Sequence, residues 1–233
     1  DGNTWVVDMK VCVQCGECVK VCPTDAIHLD AETTERTEPV DAIIFAAGSG
    51  LYEPGDMPAY TESDNVVTSL EFERILSGTG TYDGAIKRPS DGQPAKKIAW
   101  LQCVGSRNRT EGKDFCSSIC CMFALKEAVL AHEKGGEGMD TTLLYMDLRA
   151  FGKDFYRYQR SAREDHGVKL VRCRTHVVTP EENGDVTVRF WDATEEGFKQ
   201  ETYDLVVLSI GQTPQTAHAK LAELLGTETT DTG

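Results

Sequence analysis

The chain has 233 residues, 40% apolar and 27% charged, enough for one or two domains with a hydrophobic core. It contains no run of eighteen uncharged apolar residues, so direct membrane insertion is excluded. Its 24 basic against 38 acidic side chains, a net charge of −14, argue against nucleic acid as a partner. Of its nine cysteines, eight fall into two tight groups and Cys173 stands apart. An odd total with Cys120 beside Cys121 is a poor disulfide framework, whereas thiolates at short spacings suit metal binding in a reducing compartment. A cytoplasmic location is therefore expected, with any membrane association made through partner proteins. The chain carries no signal segment and opens at Asp1 rather than Met, which reads as a piece of a longer polypeptide.

In chain order, TWVVD and AIHLD are expected to be two short strands flanking CVQCGECVKVCP, residues 12–23. Cys12, Cys15, Cys18 and Cys22 have the spacing C-x2-C-x2-C-x3-C-P of bacterial ferredoxins, and they are candidate ligands of a [4Fe-4S] cluster. Gly16 permits the tight turn and Pro23 bends the chain away. In two-cluster ferredoxins the fourth cysteine serves the other cluster. Either Cys22 closes its own site, then, or a partner motif lay upstream of Asp1.

VDAIIFAAGSG, from Val40, is expected to be a buried strand ending in a small-residue turn at Ala46, Ala47 and Gly48. DLVVLSIGQTP repeats that pattern with Gly211 and Pro214. As a pair, the two turns match the places where the chain of a two-dinucleotide-binding flavoprotein passes between domains, so Ala46, Ala47, Gly48 and Gly211 are candidate cofactor contacts. Lys87, Arg88, Lys96 and Lys97, with Pro89 and Pro94, read as an interdomain linker that could also serve docking.

The second group, Cys103, Cys116, Cys120 and Cys121, has the spacing C-x12-C-x3-C-C. KKIAWLQCVG is expected to be a buried strand and SRNRTEGKDF a polar loop. A helix should follow to about Lys134, N-capped by Ser117 or Ser118, with Cys121, Ala124, Leu125, Ala128 and Val129 on its apolar face and Gly135 and Gly136 ending it. TTLLYMD is read as a strand, Lys153 to His166 as a helix and VKLVRC as a strand. A hairpin through Asn183 and Gly184 and a final strand, YDLVVLSIG, complete the series.

That order is a βαβ unit followed by a small meander, the layout of a nicotinamide-binding domain in which CVGSRN and a ten-residue detour replace G-x-G-x-x-G. A dinucleotide should not fit there. A helix N-terminus that would have held pyrophosphate can instead stabilise an anionic, thiolate-ligated cluster. Three other readings of the four cysteines stand beside this one: small buried core residues, a structural zinc site, and a strained Cys120–Cys121 disulfide. Asp147, Arg149 and Lys153 read as turn or loop residues. The five histidines show no ligand spacing, and no side chain is assigned a catalytic role.

CVQCGECVKVCP, DAIIFAAG, VVTSLEFERIL, KRPSDG, IAWLQCVGSRN, FCSSICCMFALKEA, YMDLRAFGK and DLVVLSIG together resemble the central part of the A subunit of heterodisulfide reductase. They equally resemble its relatives among flavoprotein subunits of the quinone-interacting membrane-bound oxidoreductase. The resemblance covers nearly the whole chain, with Ala46-Ala47-Gly48 departing from the commoner Ala-Thr-Gly. It implies an oxidoreductase subunit with FAD in the intact protein and one to two [4Fe-4S] clusters within this chain. Cys103, Cys116, Cys120 and Cys121 would ligate a cluster near the flavin, and the partners would be other redox subunits. The expected fold is α/β: a Rossmann-like βαβ domain of thioredoxin-reductase type with a partial ferredoxin-like module at the N-terminus. The expected divisions are 1–32 for that module, 33–95 for a flavin-domain remnant and linker, 96–213 for the βαβ unit and 214–233 for a return toward the flavin domain. Two rival functions stand: a zinc-stapled scaffold docking redox subunits, and an NAD(P)H-dependent flavoenzyme domain with a degenerate dinucleotide loop.

Overall fold

A computed structural model describes residues 7–30 and 35–230, and the chain divides into two compact units, Asp1–Gly48 and Ser49–Gly233. In the first unit the helix α1 (Glu17–Val21) starts from Gly16 at φ 74° and buries none of its residues. Val11 and Val13 are 77% and 85% exposed. AIHLD forms no strand, and of TWVVD only Val7 and Asp8 lie within the described residues, also outside any strand. Two strands of this length have too little surface to bury to hold a ribbon in water.

The second unit begins with β1 (Gly50–Leu51), α2 (Pro58–Glu62), β2 (Val66–Thr68) and α3 (Ser69–Leu76), and β3 (Lys97–Val104) and α4 (Cys120–Gly135) follow. Next come β4 (Asp140–Tyr145), α5 (Phe155–Glu164), β5 (Lys169–Pro180), β6 (Val186–Asp192) and β7 (Gly197–Tyr203). β8 (Leu205–Ile210), β9 (Gln212–Thr213) and α6 (Thr216–Leu225) close it. Seven strands form one sheet in the order β2-β8-β3-β4-β5-β6-β7. The neighbours from β2 through β5 are parallel, and β5, β6 and β7 form the expected antiparallel meander.

The parallel centre is buried on both faces, as continuous apolar strands require. Ile98, Trp100, Leu205 and Val207 point to one face with Phe72, Ala124, Leu125 and Ala128. Ala99, Leu101, Val206 and Leu208 point to the other with Val188, Phe190 and Tyr203. Thr68 and Glu71 form a reciprocal capping box at the start of α3. Among the described residues no helix is long and apolar enough to cross a membrane.

Three further local expectations fail. Residues 42–49 form no strand, and Ile43 and Ile44 are 62% and 94% exposed. A strand needs a neighbouring strand to take up its ladder of backbone groups, and among the described residues no strand pairs with this segment. The basic loop is no solvated linker. Arg88 is buried, ion-paired to Asp185 at 2.7 Å, and donates to the carbonyl of Asn183, while Asn65 donates to the carbonyl of Gly184. These contacts tie the loop to the β5–β6 hairpin. Neither Ser117 nor Ser118 caps α4, whose N-cap is Ile119. The Ser117 hydroxyl accepts instead from the Gln212 N–H at 2.9 Å, which fixes the turn after β8.

Candidate iron-sulfur sites

The first motif is a loop shaped by left-handed residues at Gln14 (φ 54°) and Gly16 (φ 74°), which turn the backbone tightly between its cysteines. Backbone amides point at sulfur: Gln14 N–H donates to Cys12 Sγ at 3.4 Å and Ala26 N–H to Cys22 Sγ at 3.3 Å. Hydrogen bonds from the Thr24 backbone and side chain, and from the Ala26 amide, hold the Cys22 thiol below its ordinary range. Amide bonds of this kind stabilise a thiolate and, in an iron-sulfur site, adjust the cluster's potential. Cys12 and Cys22 are half-buried, while Cys15 and Cys18 are exposed.

The second set is assembled from three pieces of the chain. Cys103 sits where β3 breaks register, at φ 65°, Cys116 lies in the polar loop, and Cys120 and Cys121 open the first turn of α4. The four thiols lie within electrostatic reach of one another: Cys103 responds to Cys116 and Cys121, and Cys120 to Cys103, Cys116 and Cys121. The Cys120 thiol donates to Cys121, which pushes Cys120 up and draws Cys121 down. Ser118 N–H donates to Cys116 Sγ at 3.3 Å, and Arg149 N–H to Cys121 Sγ at 3.5 Å. Burial raises the Cys103 thiol against the pull of Arg107, whose guanidinium lies 3.9 Å from the sulfur.

Arg107 is in turn held by Asp147, which also pairs with Arg149 at 3.4 Å. Despite the opposing penalty of burial, these two arginines keep the Asp147 carboxyl below its ordinary range. Four cysteines, three of them met by N–H donors, form a donor set whose chemistry fits a thiolate-ligated cluster. Among the described residues, no three His, Cys, Asp or Glu side chains are spaced to hold a single metal ion. A cubane binds each thiolate to a different iron, so its ligands stand farther apart than those of one ion.

The glycine of CVGSRN does not serve a phosphate. A Cβ on Gly105 would lie 2.0 Å from the Tyr52 ring, so the aromatic face covers the turn where pyrophosphate would approach backbone. Gly211 is likewise a close-approach residue, since its Cβ would meet the Gly105 carbonyl and the Ser117 hydroxyl at 2.9 Å each. Ala46, Ala47 and Gly48 are exposed. Beside Cys103 opens a cleft of about 530 Å³, lined by Gln102, Ser106, Arg107, Met146 and His176 among others. Two of its buried polar atoms, Gln102 Oε1 and Ser106 Oγ, have no hydrogen-bond partner. Cys173 lies buried in β5, where burial pushes its thiol up to about 12. Sequence reasoning did not find Tyr52 or the Arg107 contact, because each depends on chain segments that meet only in the fold.

Residues 5–28 match the family described as a 4Fe-4S binding domain. Over 222 residues, 94% of this chain, the sequence is 36% identical to the A subunit of the H(2):CoB-CoM heterodisulfide,ferredoxin reductase of Methanothermobacter thermautotrophicus. Over 232 residues, 98% of the chain, it is 38% identical to the iron-sulfur A subunit of the CoB--CoM heterodisulfide reductase of Methanocaldococcus jannaschii. The chain belongs to the family of heterodisulfide reductase A subunits. It spans about a third of the length of these family members, 34% and 35% respectively. Among solved structures, the thioredoxin reductase of T. acidophilum aligns with a TM-score of 0.44 and 12% identity, over 80% of this chain and 48% of that one. For a heterodisulfide reductase A segment the match at residues 5–28 includes all four cysteines of the first motif. The second set lies within the stretch shared with both relatives.

Proposed function

We propose that this chain relays electrons through two [4Fe-4S] sites within a larger, FAD-containing oxidoreductase. Cys12, Cys15, Cys18 and Cys22 serve the first site, and Cys103, Cys116, Cys120 and Cys121 hold the second. The observation that carries this reading is the convergence of four thiols from β3, a loop and the first turn of α4, with N–H donors on three sulfurs. A bound cluster supplies one-electron acceptance and release. The chain's part is to supply thiolates, to direct amides and the Arg107 charge at sulfur, and to keep water from Cys120 and Cys121, both 4% exposed.

On this reading 1–32 is the cluster module, 33–95 flavin-domain chain, 96–213 the cluster-bearing βαβ domain and 214–233 the return toward the flavin domain. The cleft beside Cys103, with its unpaired Gln102 and Ser106 atoms, is the natural neighbour of a flavin. The parent acts in the cytoplasm with other redox subunits as electron partners.

The test is iron, acid-labile sulfide and zinc per chain, with a visible spectrum before and after dithionite, on protein purified without oxygen. About four iron and four sulfide per filled site, bleached by dithionite, are expected. Cys120→Ser should lose the iron of the second site only. Zinc without sulfide or colour would move the chain to the scaffold class, and tight NADH binding would overturn the account of the Gly105 turn.

A further inference from the structure

Glu127 lies on α4, seven residues beyond Cys120. Seven residues are close to two turns, so the two share one helix face about 10 Å apart along the axis. Glu127 is fully buried, at 0% exposure, in the core formed by Trp100, Leu125 and Leu143. One carboxyl oxygen accepts from Trp100 Nε1 at 2.7 Å, and the other has no partner. A leucine or methionine would leave the buried Trp100 N–H without an acceptor, yet that one bond uses a single carboxyl oxygen, so satisfying Trp100 does not account for the second, unpaired oxygen.

We propose that Glu127 is the proton-binding partner of the second cysteine set: when a cluster held there gains an electron, the Glu127 carboxylate takes up one proton from solvent. The step balances as oxidised cluster, one electron from the donor, carboxylate and one proton giving reduced cluster and carboxylic acid. The proposal rests on the cluster reading of Cys103, Cys116, Cys120 and Cys121.

Burial holds the Glu127 carboxyl up at about 8, against the opposing pull of the Trp100 bond. The charged groups acting on it are Glu73 of α3, which disfavours ionisation, and Lys126 of its own helix, which favours it. Those two are paired with each other at 3.0 Å. α5 brings Tyr158 to this core, and that hydroxyl responds to Glu133 and Lys126. β4 and β8 bring apolar Leu143, Leu205 and Val207. An added unit charge about 10 Å away, through an effective dielectric of about 20, moves a pKa by about one unit. The shift is upward, because the reduced cluster carries one more negative charge. Proton uptake on reduction therefore falls between about pH 8 and 9.

The test uses the full chain with Cys15→Ser and Cys18→Ser, so that only the second site carries a cluster, with and without Glu127→Gln. Midpoint potential is followed from pH 6 to pH 10 in a dithionite titration, and Trp100 emission is followed in the iron-free protein. The Glu127-containing chain should show a potential that falls by about 59 mV, one tenfold step, as pH rises through the window. Its tryptophan emission should titrate near pH 8. Glu127→Gln should hold the higher potential throughout and lose the emission change. Identical potentials with iron present, or emission that titrates alike in both proteins, would overturn this proposal alone. A chain that binds no iron at the second set would overturn the cluster reading with it, and the emission titration would still report the proton on Glu127.

Discussion

Around Cys12 to Cys22 the chain has one five-residue helix with no buried residue, and its valines face solvent. Around Cys103 to Cys121 the cysteines stand on a seven-stranded sheet and a sixteen-residue helix packed on an apolar core that includes none of the four thiols. On the cluster reading, the first motif carries its ligand geometry in sequence spacing, and with no buried residue in its helix a bound cluster would supply its order. The second borrows geometry from the fold, so its spacing can be irregular. Short regular spacing and a prebuilt scaffold are therefore two routes to the same donor set.

Metal removal separates them most sharply. Chelation should erase hydrogen-exchange protection in residues 7–30 and leave the second unit cooperatively folded, because binding free energy is folding free energy where no core exists. Unchanged protection of 7–30 in the iron-free chain would break the comparison. Leu125→Ala, at a position of 0% exposure, should cost the second unit about 2–5 kcal/mol in urea unfolding while leaving first-site iron in place. Loss of both sites together would show that the units depend on each other.

A smaller effect comes from Glu127. Its carboxyl is raised in the fold from an ordinary 4.5 to about 8, so the folded state holds a proton that the unfolded chain has released. The stability this contributes is fully present below about pH 4.5 and is lost as pH rises toward 8, by a few kcal/mol. Denaturant midpoints across that range should fall in the native chain and stay flatter in Glu127→Gln. The smallest effect is expected of Thr68→Ala, which removes the capping box of α3 and should cost about 1 kcal/mol without changing iron content.

Much of the second unit was legible beforehand because its signals are local. Apolar runs marked β3, β4 and β8, the Gly135-Gly136 pair ended α4, and Asn183-Gly184 marked the hairpin before β6. VDAIIFAAGSG was misread for the complementary reason. Its pattern is that of a buried strand, but strand formation is settled by a pairing strand, and among the described residues none pairs with 42–49. Arg88 read as a linker residue because its partners, Asp185 and the Asn183 carbonyl, are more than ninety positions away.

The sequence by itself determined the two cysteine sets, the order of strands and helices and the absence of a dinucleotide glycine fingerprint, since each is a matter of residue type and spacing along the chain. Only the tertiary structure decided that Tyr52 covers the Gly105 turn, that Arg107 reaches Cys103, and that Glu127 lies in the core against Trp100. Those facts depend on side chains from distant segments sharing one dry space, where burial and long-range pairing set the chemistry.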